Sequence, residues 1–192
     1  MTGTHDRAWG ARFEEALTFA AARHAGQVRK GNGAPYITHP LAVASIVGEF
    51  GGDEEQAVAA LLHDVMEDCQ VSAEEIAATF GAGVAEIVEH CTDTTEHPKP
   101  PWRPRKEAHL AKLATLPARA KLVIAADKLH NALATVRDLD RPSVGPVVWS
   151  RFRAGRDEVL WYYRAAHAAL ATDWDHEIVR ELGRAVAELE KR

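Results

Sequence analysis

The sequence predicts an all-α protein, a helical bundle of about nine or ten helices with at most a small β-hairpin near residues 27–38. Three observations predict it. Alanine is very frequent and β-branched residues are sparse, which favours helix. The apolar residues of the long runs recur at helical spacing. Those runs are separated by helix starts and stops. There is no internal repeat, low-complexity tract or shift in composition. The 192 residues are therefore expected to form one domain, with the motifs in about residues 10–138 and further helices over 144–192.

Residues from about Arg7 to Ala25 read as a helix with Phe13, Leu17, Ala20 and Ala21 on one side, ended by Gly26. Gln27 to His39 carries Gly31, Gly33 and Pro35 and is the longest non-helical piece of the first half, with Tyr36-Ile37-Thr38 extended. Pro40 opens a helix that runs through Leu41–Phe50. Asp53 is the expected N-cap of a helix to Asp68, with Glu54 and Glu55 in its first turn. Ser72 with Glu75 marks a capping box for a short helix ending before Gly81. Another helix covers Gly83 to Cys91, and Thr92 to Pro104, with its prolines, is a loop. Helices then span Arg105–Leu116 and, from Pro117, the stretch to Asp138. After a break at Arg141–Pro146 come helices over Val147–Phe152 and Arg156–Ala171. A last, strongly charged helix, capped by Asp173 or Asp175, reaches Lys191 and is expected to be peripheral.

A formal net charge of -5 leaves no basic footprint for nucleic acid and no polybasic helix for a membrane surface. No apolar run reaches the roughly 18 residues of a membrane span, and Met1–Gly10 lacks a signal core. Cys69 and Cys91 are too few for a disulfide framework. These features lead us to expect a cytoplasmic protein, and nothing in them sets an oligomeric state. An anionic substrate would need a local basic cluster or a metal.

Two stretches carry chemistry. In Leu61-Leu62-His63-Asp64-Val65-Met66-Glu67-Asp68, helical spacing stacks His63 over Glu67 and Asp64 over Asp68. Three carboxylates within five residues are either a solvated face or the lining of a cation site, and adjacent His-Asp offers a good ligand pair for a divalent metal. In Lys121–Asn131, a helix apolar on every side is followed by Asp127, with Asn131 one turn later on the same face. A buried carboxylate is costly unless paired or metal-bound, so Asp127 is either an ion-pair partner or a ligand. His39, at the turn into a helix, is by itself a cap, a surface residue or a ligand.

Taken in order, His39, His63-Asp64 and Asp127 resemble the H…HD…D signature of HD-domain metal-dependent phosphohydrolases. The likeness extends further. His24-x-x-Gln27-x-Arg29-Lys30, Gly33-x-Pro35-Tyr36-Ile37-x-His39-Pro40, His63-Asp64-x-x-Glu67-Asp68 and Ala126-Asp127-Lys128-Leu129-His130-Asn131 are similar to the hydrolase domain of RelA/SpoT homologues. That family degrades the alarmone (p)ppGpp, and the chain resembles its small stand-alone hydrolases, the class that includes the metazoan SpoT homologue.

The resemblance implies one divalent metal, usually manganese, on His39, His63, Asp64 and Asp127. Iron or zinc would also suit such ligands. It implies that Glu67 and Asp68 position or deprotonate the attacking water, that Arg29 and Lys30 hold the nucleotide, and that Asn131 contacts its ribose or phosphates. The implied reaction removes the 3′-pyrophosphate to give GDP or GTP. After Asn131 the chain reads Ala132-Leu133-Ala134-Thr135, where the long bifunctional enzymes tend to carry Met-Arg-Thr. The base is thus left open between guanine and adenine. Other readings are a related phosphohydrolase acting on (p)ppApp or NADPH, and an alarmone-binding module without turnover. Among basic side chains, Lys128 and Arg156 are candidates to neutralise terminal phosphates. Lys99, Arg103, Arg105 and Lys106 form either a flap over the polyphosphate or a solvated loop. Trp161-Tyr162-Tyr163 must spread around a helix, putting at least one ring in the core and leaving another to line the pocket.

Overall fold

A computed structural model describes residues 9–192. Among them are ten α-helices: α1 (Ala11–Arg23), α2 (Thr38–Glu49), α3 (Glu54–Leu62), α4 (Val65–Cys69), α5 (Ala73–Phe80), α6 (Ala82–Cys91), α7 (Trp102–Leu113), α8 (Ala118–Asp140), α9 (Gly155–Leu170) and α10 (Glu177–Glu190). A 3₁₀ turn, Gly145–Arg151, stands where a helix over Val147–Phe152 was expected. The expected hairpin is a single antiparallel bridge, Val28 to Pro35, in the loop between α1 and α2. No helix among the described residues is long and apolar enough to cross a membrane.

α8 is the axis of the bundle. It packs against α2, α3, α6, α9 and α10. Leu122 to Asp127 are all buried, as expected for a helix apolar on every side. Lys121 is buried too, and its ammonium donates to the carbonyls of Ala114 and Thr172, both at 2.9 Å. α3 crosses the same core with Ala57 to Leu62 fully buried. Its start is firmer than the cap alone foretold: Asp53 accepts from the Gln56 N–H while the Gln56 side chain accepts from the Asp53 N–H, a reciprocal capping box. Ser72 caps α5 by accepting from the Glu75 N–H.

Four expectations need correction. The helix foreseen from Asp53 to Asp68 is two helices, broken at His63-Asp64. His63 Nδ1 donates to the Ala60 carbonyl at 2.7 Å, the acceptor that a continuing helix would offer to the Asp64 N–H. The first helix buries Ala16 and Ala20, while Ala21 is exposed; the expected first residues Arg7 and Ala8 lie outside the described residues. α10 is not peripheral. Ile178, Leu182, Ala185 and Leu189 form a buried stripe against α8 and α9, and its charges occupy only the opposite face. Its cap is His176, which accepts from the Ile178 N–H, because Asp173 closes the preceding turn at positive φ and Asp175 pairs with Arg180.

Candidate metal centre and substrate cavity

The break between α3 and α4 turns His63 and Asp64 toward α2 and α8. His39, in the first turn of α2 rather than in the loop before it, is 1 % exposed. Its Nε2 lies 3.2 Å from His63 Nε2, 3.1 Å from Asp127 Oδ1 and 3.6 Å from Asp64 Oδ2. His63 Nε2 is 3.1 Å from Asp64 Oδ2 and 3.7 Å from Asp127 Oδ1. Two imidazole nitrogens and two carboxylate oxygens, drawn from three distant parts of the chain, thus face one point.

The surroundings suit a cation there. With its Nδ1–H committed to Ala60, His63 presents an Nε2 lone pair when neutral. His39 Nδ1 meets His130 Nδ1 at 2.7 Å. Burial, with the positive fields of His39, Arg29 and Arg137, pushes His130 down to about 3, so it is neutral and can accept the His39 proton. Burial also lowers His39. His63 goes the other way: burial opposes its charge, but Asp64 and Asp127 hold it well above the ordinary histidine value. Asp64 and Asp127 in turn lie well below the carboxylate range, against burial, Asp64 through His63, Asp127 through Lys128 and both imidazoles. The field at this point favours positive charge, and two histidines with two carboxylates fit a divalent ion of the manganese, iron or zinc kind.

The second layer is built of hydrogen bonds. The Tyr36 hydroxyl donates to Asp64 Oδ2 at 2.6 Å. Lys128 Nζ donates to Asp127 Oδ2 at 2.7 Å, and Asn131 Nδ2 donates to Oδ1. Arg29 then donates to Asn131 Oδ1 at 2.7 Å and lies over the Tyr36 ring. Glu67 and Asp68 sit one turn past the cluster. His63 does not pair with Glu67: the imidazole points inward and the carboxylate turns to Lys99. Burial and the neighbouring Asp93 raise Glu67 above the ordinary glutamate value, and Lys99 opposes them.

Beside this cluster opens a cavity of about 320 Å³. Tyr36, Asp68, Lys128 and Asn131 border it, and Arg29, Lys30 and Lys106 add positive charge to its walls. The 94–106 segment borders the cavity only in part. Lys106 and Trp102 line the cavity, while Lys99 bridges Glu67 and Asp68. Arg105 and Lys106 converge on the buried Asp93, and Arg103 stacks on Trp161. Tyr162 and Tyr163 are both buried and both line the cavity, and the Tyr162 hydroxyl has no partner among the described residues. Arg156 is a correction. It stands at the start of α9 outside the cavity lining, with its guanidinium near Asp157 and the Glu190 carbonyl at the end of α10. Sequence reasoning did not single out Tyr36, His130 or Asp93. Tyr36 and His130 lie inside the quoted motifs, and Asp93 is one of two acids, with Glu96, between α6 and the basic segment that follows.

The fold and the His-His-Asp-Asp centre together describe a helical metallohydrolase. The chain belongs to the HD domain family, whose sequence profile matches residues 16–160. It is 40% identical over 170 residues to the guanosine-3′,5′-bis(diphosphate) 3′-pyrophosphohydrolase MESH1 of Xenopus tropicalis, covering 84% of this chain and 90% of that protein. It is 36% identical over 162 residues to the bifunctional (p)ppGpp synthase/hydrolase SpoT of Escherichia coli, covering 81% of this chain and 21% of that protein. A solved structure of a metazoan SpoT orthologue, described as hydrolysing ppGpp and playing a role in starvation responses, superposes with a TM-score of 0.75. That match has 30% identity over 92% of this chain and 94% of the other.

Proposed function

We propose that this protein hydrolyses the alarmone (p)ppGpp, releasing the 3′-pyrophosphate and leaving GDP or GTP. The observation that carries the reading is the convergence of His39, His63, Asp64 and Asp127 beside a cavity walled by Arg29, Lys30, Lys106 and Lys128. Those four residues would hold one divalent ion, manganese first and iron or zinc as alternatives. Such an ion acidifies water and polarises a phosphoryl oxygen.

The chain's own groups do the rest. Water adds to the phosphorus bonded to O3′, and the P–O3′ bond breaks. Glu67, whose raised affinity for protons suits a base working near neutrality, takes the proton from the water. Asp68, hydrogen-bonded to Lys99, steers that water, and O3′ leaves as a hydroxyl after receiving the proton that Glu67 took from the water. Arg29, Lys30, Lys106 and Lys128 offset the phosphate charges, so a chain of net charge -5 binds an anion locally.

The test is purified protein with ppGpp and Mn²⁺, following GDP and pyrophosphate, with EDTA and Asp64→Asn as controls. Stoichiometric release that depends on metal and on Asp64 is expected. Absence of metal-dependent release overturns the reading. NADPH run alongside separates it from a related phosphohydrolase, and an Mn²⁺, Fe²⁺ and Zn²⁺ series ranks the ion.

A further inference from the structure

Asp138 is a buried carboxylate of the cavity that the chemistry at the metal end does not use. α8 lays Asp127, Asn131, Ala134 and Asp138 along one face. The first and last are eleven residues apart, about 16 Å at 1.5 Å per residue. Ligands therefore mark one end of the cavity and Asp138 the other. The two ends differ in character. Lys128 and Lys106 both lie over the Tyr162 ring, and Lys128 binds Asp127, so positive charge gathers toward the metal. At the other end, Arg151 reaches the Lys30 carbonyl at 3.5 Å and brings the 145–151 turn over the loop that touches Asp138. That turn and the residues beside it supply Val148 and Phe152, an apolar wall. This end pairs an apolar wall with one carboxylate, beside Lys30 and Asn32, and such a mixed lining suits a base that carries hydrogen-bond donors.

The placement of Asp138 is costly. It lies in the last turn of α8, where the helix dipole disfavours negative charge. Its one ion partner among the described residues, Arg141, sits 3.0 Å from Oδ1 on a half-exposed side chain, which leaves carboxylate lone pairs unclaimed there. The opposing loop makes room for it: a Cβ on Gly31 would collide with Asp138 Oδ2. Ala134, one turn earlier, keeps the side-chain volume beside the slot small.

We propose that Asp138 reads the purine, its carboxylate accepting the N1–H and N2–H of guanine. The proposal rests on the alarmone reading above for the substrate class. A carboxylate is an acceptor only, and guanine offers two adjacent donors on that edge. Hypoxanthine offers N1–H alone, and adenine turns an N1 lone pair toward the acid. A hydrogen bond to a charged group contributes roughly 1.5–3 kcal/mol, so loss of one donor corresponds to about a 10- to 100-fold preference.

The experiment compares kcat/KM for ppGpp, its inosine counterpart and ppApp in the wild type, Asp138→Asn, Asp138→Leu and Gly31→Ala. Binding of the same three nucleotides is measured calorimetrically in an Asp64→Asn background. The wild type is expected to favour ppGpp over the inosine compound by about 10- to 100-fold, with ppApp poorer still. Both Asp138 variants collapse that ratio toward unity. Gly31→Ala, which keeps the acid but displaces it, lowers the ratio partway. The near-isosteric Asn variant decides the matter should the Leu variant misfold. A ppGpp-to-inosine ratio unchanged in Asp138→Asn overturns the inference while leaving alarmone hydrolysis standing. A wild type that turns over none of the three, yet binds guanine preferentially through Asp138, overturns the hydrolase reading and upholds this one.

Discussion

Tyr36 donates its hydroxyl proton to Asp64 Oδ2 at 2.6 Å and reaches Asp68 Oδ2 at 3.4 Å, joining a ligand carboxylate to an acid one turn further on. Burial, with Asp64 and Asp68 close by, raises the Tyr36 phenol far above its ordinary value, so it remains a donor at every working pH. Tyr36→Phe removes the donor and keeps the ring that packs between His24 and His39. Groups that orient metal ligands typically account for about 10- to 100-fold in metal affinity. The expected result is a rise of that size in the Mn²⁺ concentration giving half-maximal activity, with little change in Tm. An unshifted metal titration would show that Asp64 does not need this bond.

Lys99 bridges the two acids and opposes the upward shift at Glu67. Its ammonium lies 2.7 Å from Glu67 Oε1 and 2.8 Å from Asp68 Oδ1, and burial with Asp93 already pulls Glu67 upward. A cation favours the ionised carboxylate, so Lys99→Met raises Glu67 further. In the proposed reaction Glu67 works as a base and so acts when deprotonated. Activity is therefore lost as pH falls through its raised value, and the variant loses it at higher pH than the wild type. The kcat–pH profile checks this: the acid limb moves upward and the alkaline plateau recovers at least part of the rate. A uniform drop across the whole range would assign Lys99 to phosphate binding alone.

The sequence carried the helix count and the loop before α2, written locally in capping residues and glycines, and the family resemblance named the four side chains that converge. What it did not carry depends on distant partners. His63 and Glu67 look like an i, i+4 pair, yet the Ala60 carbonyl and Lys99 separate them. His130 is a motif position without a stated role until α2 brings His39 against it. Asp138 looks like a solvated acid near a helix end until Gly31 closes over it. Arg156 looks like a phosphate partner by its charge until the end of α10 brings the Glu190 carbonyl against it.

α10 shows the same limit from the side of stability. Its charges suggested an outer helix, but Leu182 is 0 % exposed, between α8 and α9. Leu182→Ala removes a branched side chain from the buried stripe of α10, which typically costs about 2–5 kcal/mol. Urea denaturation is expected to show a loss in that range with an unchanged m-value. A surface position would lose less than about 0.5 kcal/mol, and that result would return α10 to the periphery.

His109 gives the pH dependence of folding a specific source. It is buried on α7, and burial, with Lys128 and Lys106 nearby, pushes it down to about 3 from an unfolded value near 6.5. His130 is lowered as well, but it touches His39, so His109 is the cleaner probe. The sign follows from proton counting. Between pH 6.5 and 3 the unfolded chain binds a proton at this position and the folded chain does not, so stability is complete above about 6.5 and falls as pH drops. One such group contributes a slope of up to about 1.4 kcal/mol per pH unit across that window. His109→Gln removes the titration and should flatten the wild-type stability curve by up to that slope, measured by urea unfolding in EDTA at intervals from pH 7 to 4. Wild-type and variant curves that run parallel would mean that the folded protein admits the proton at His109, by opening α7 or by moving Lys106 away.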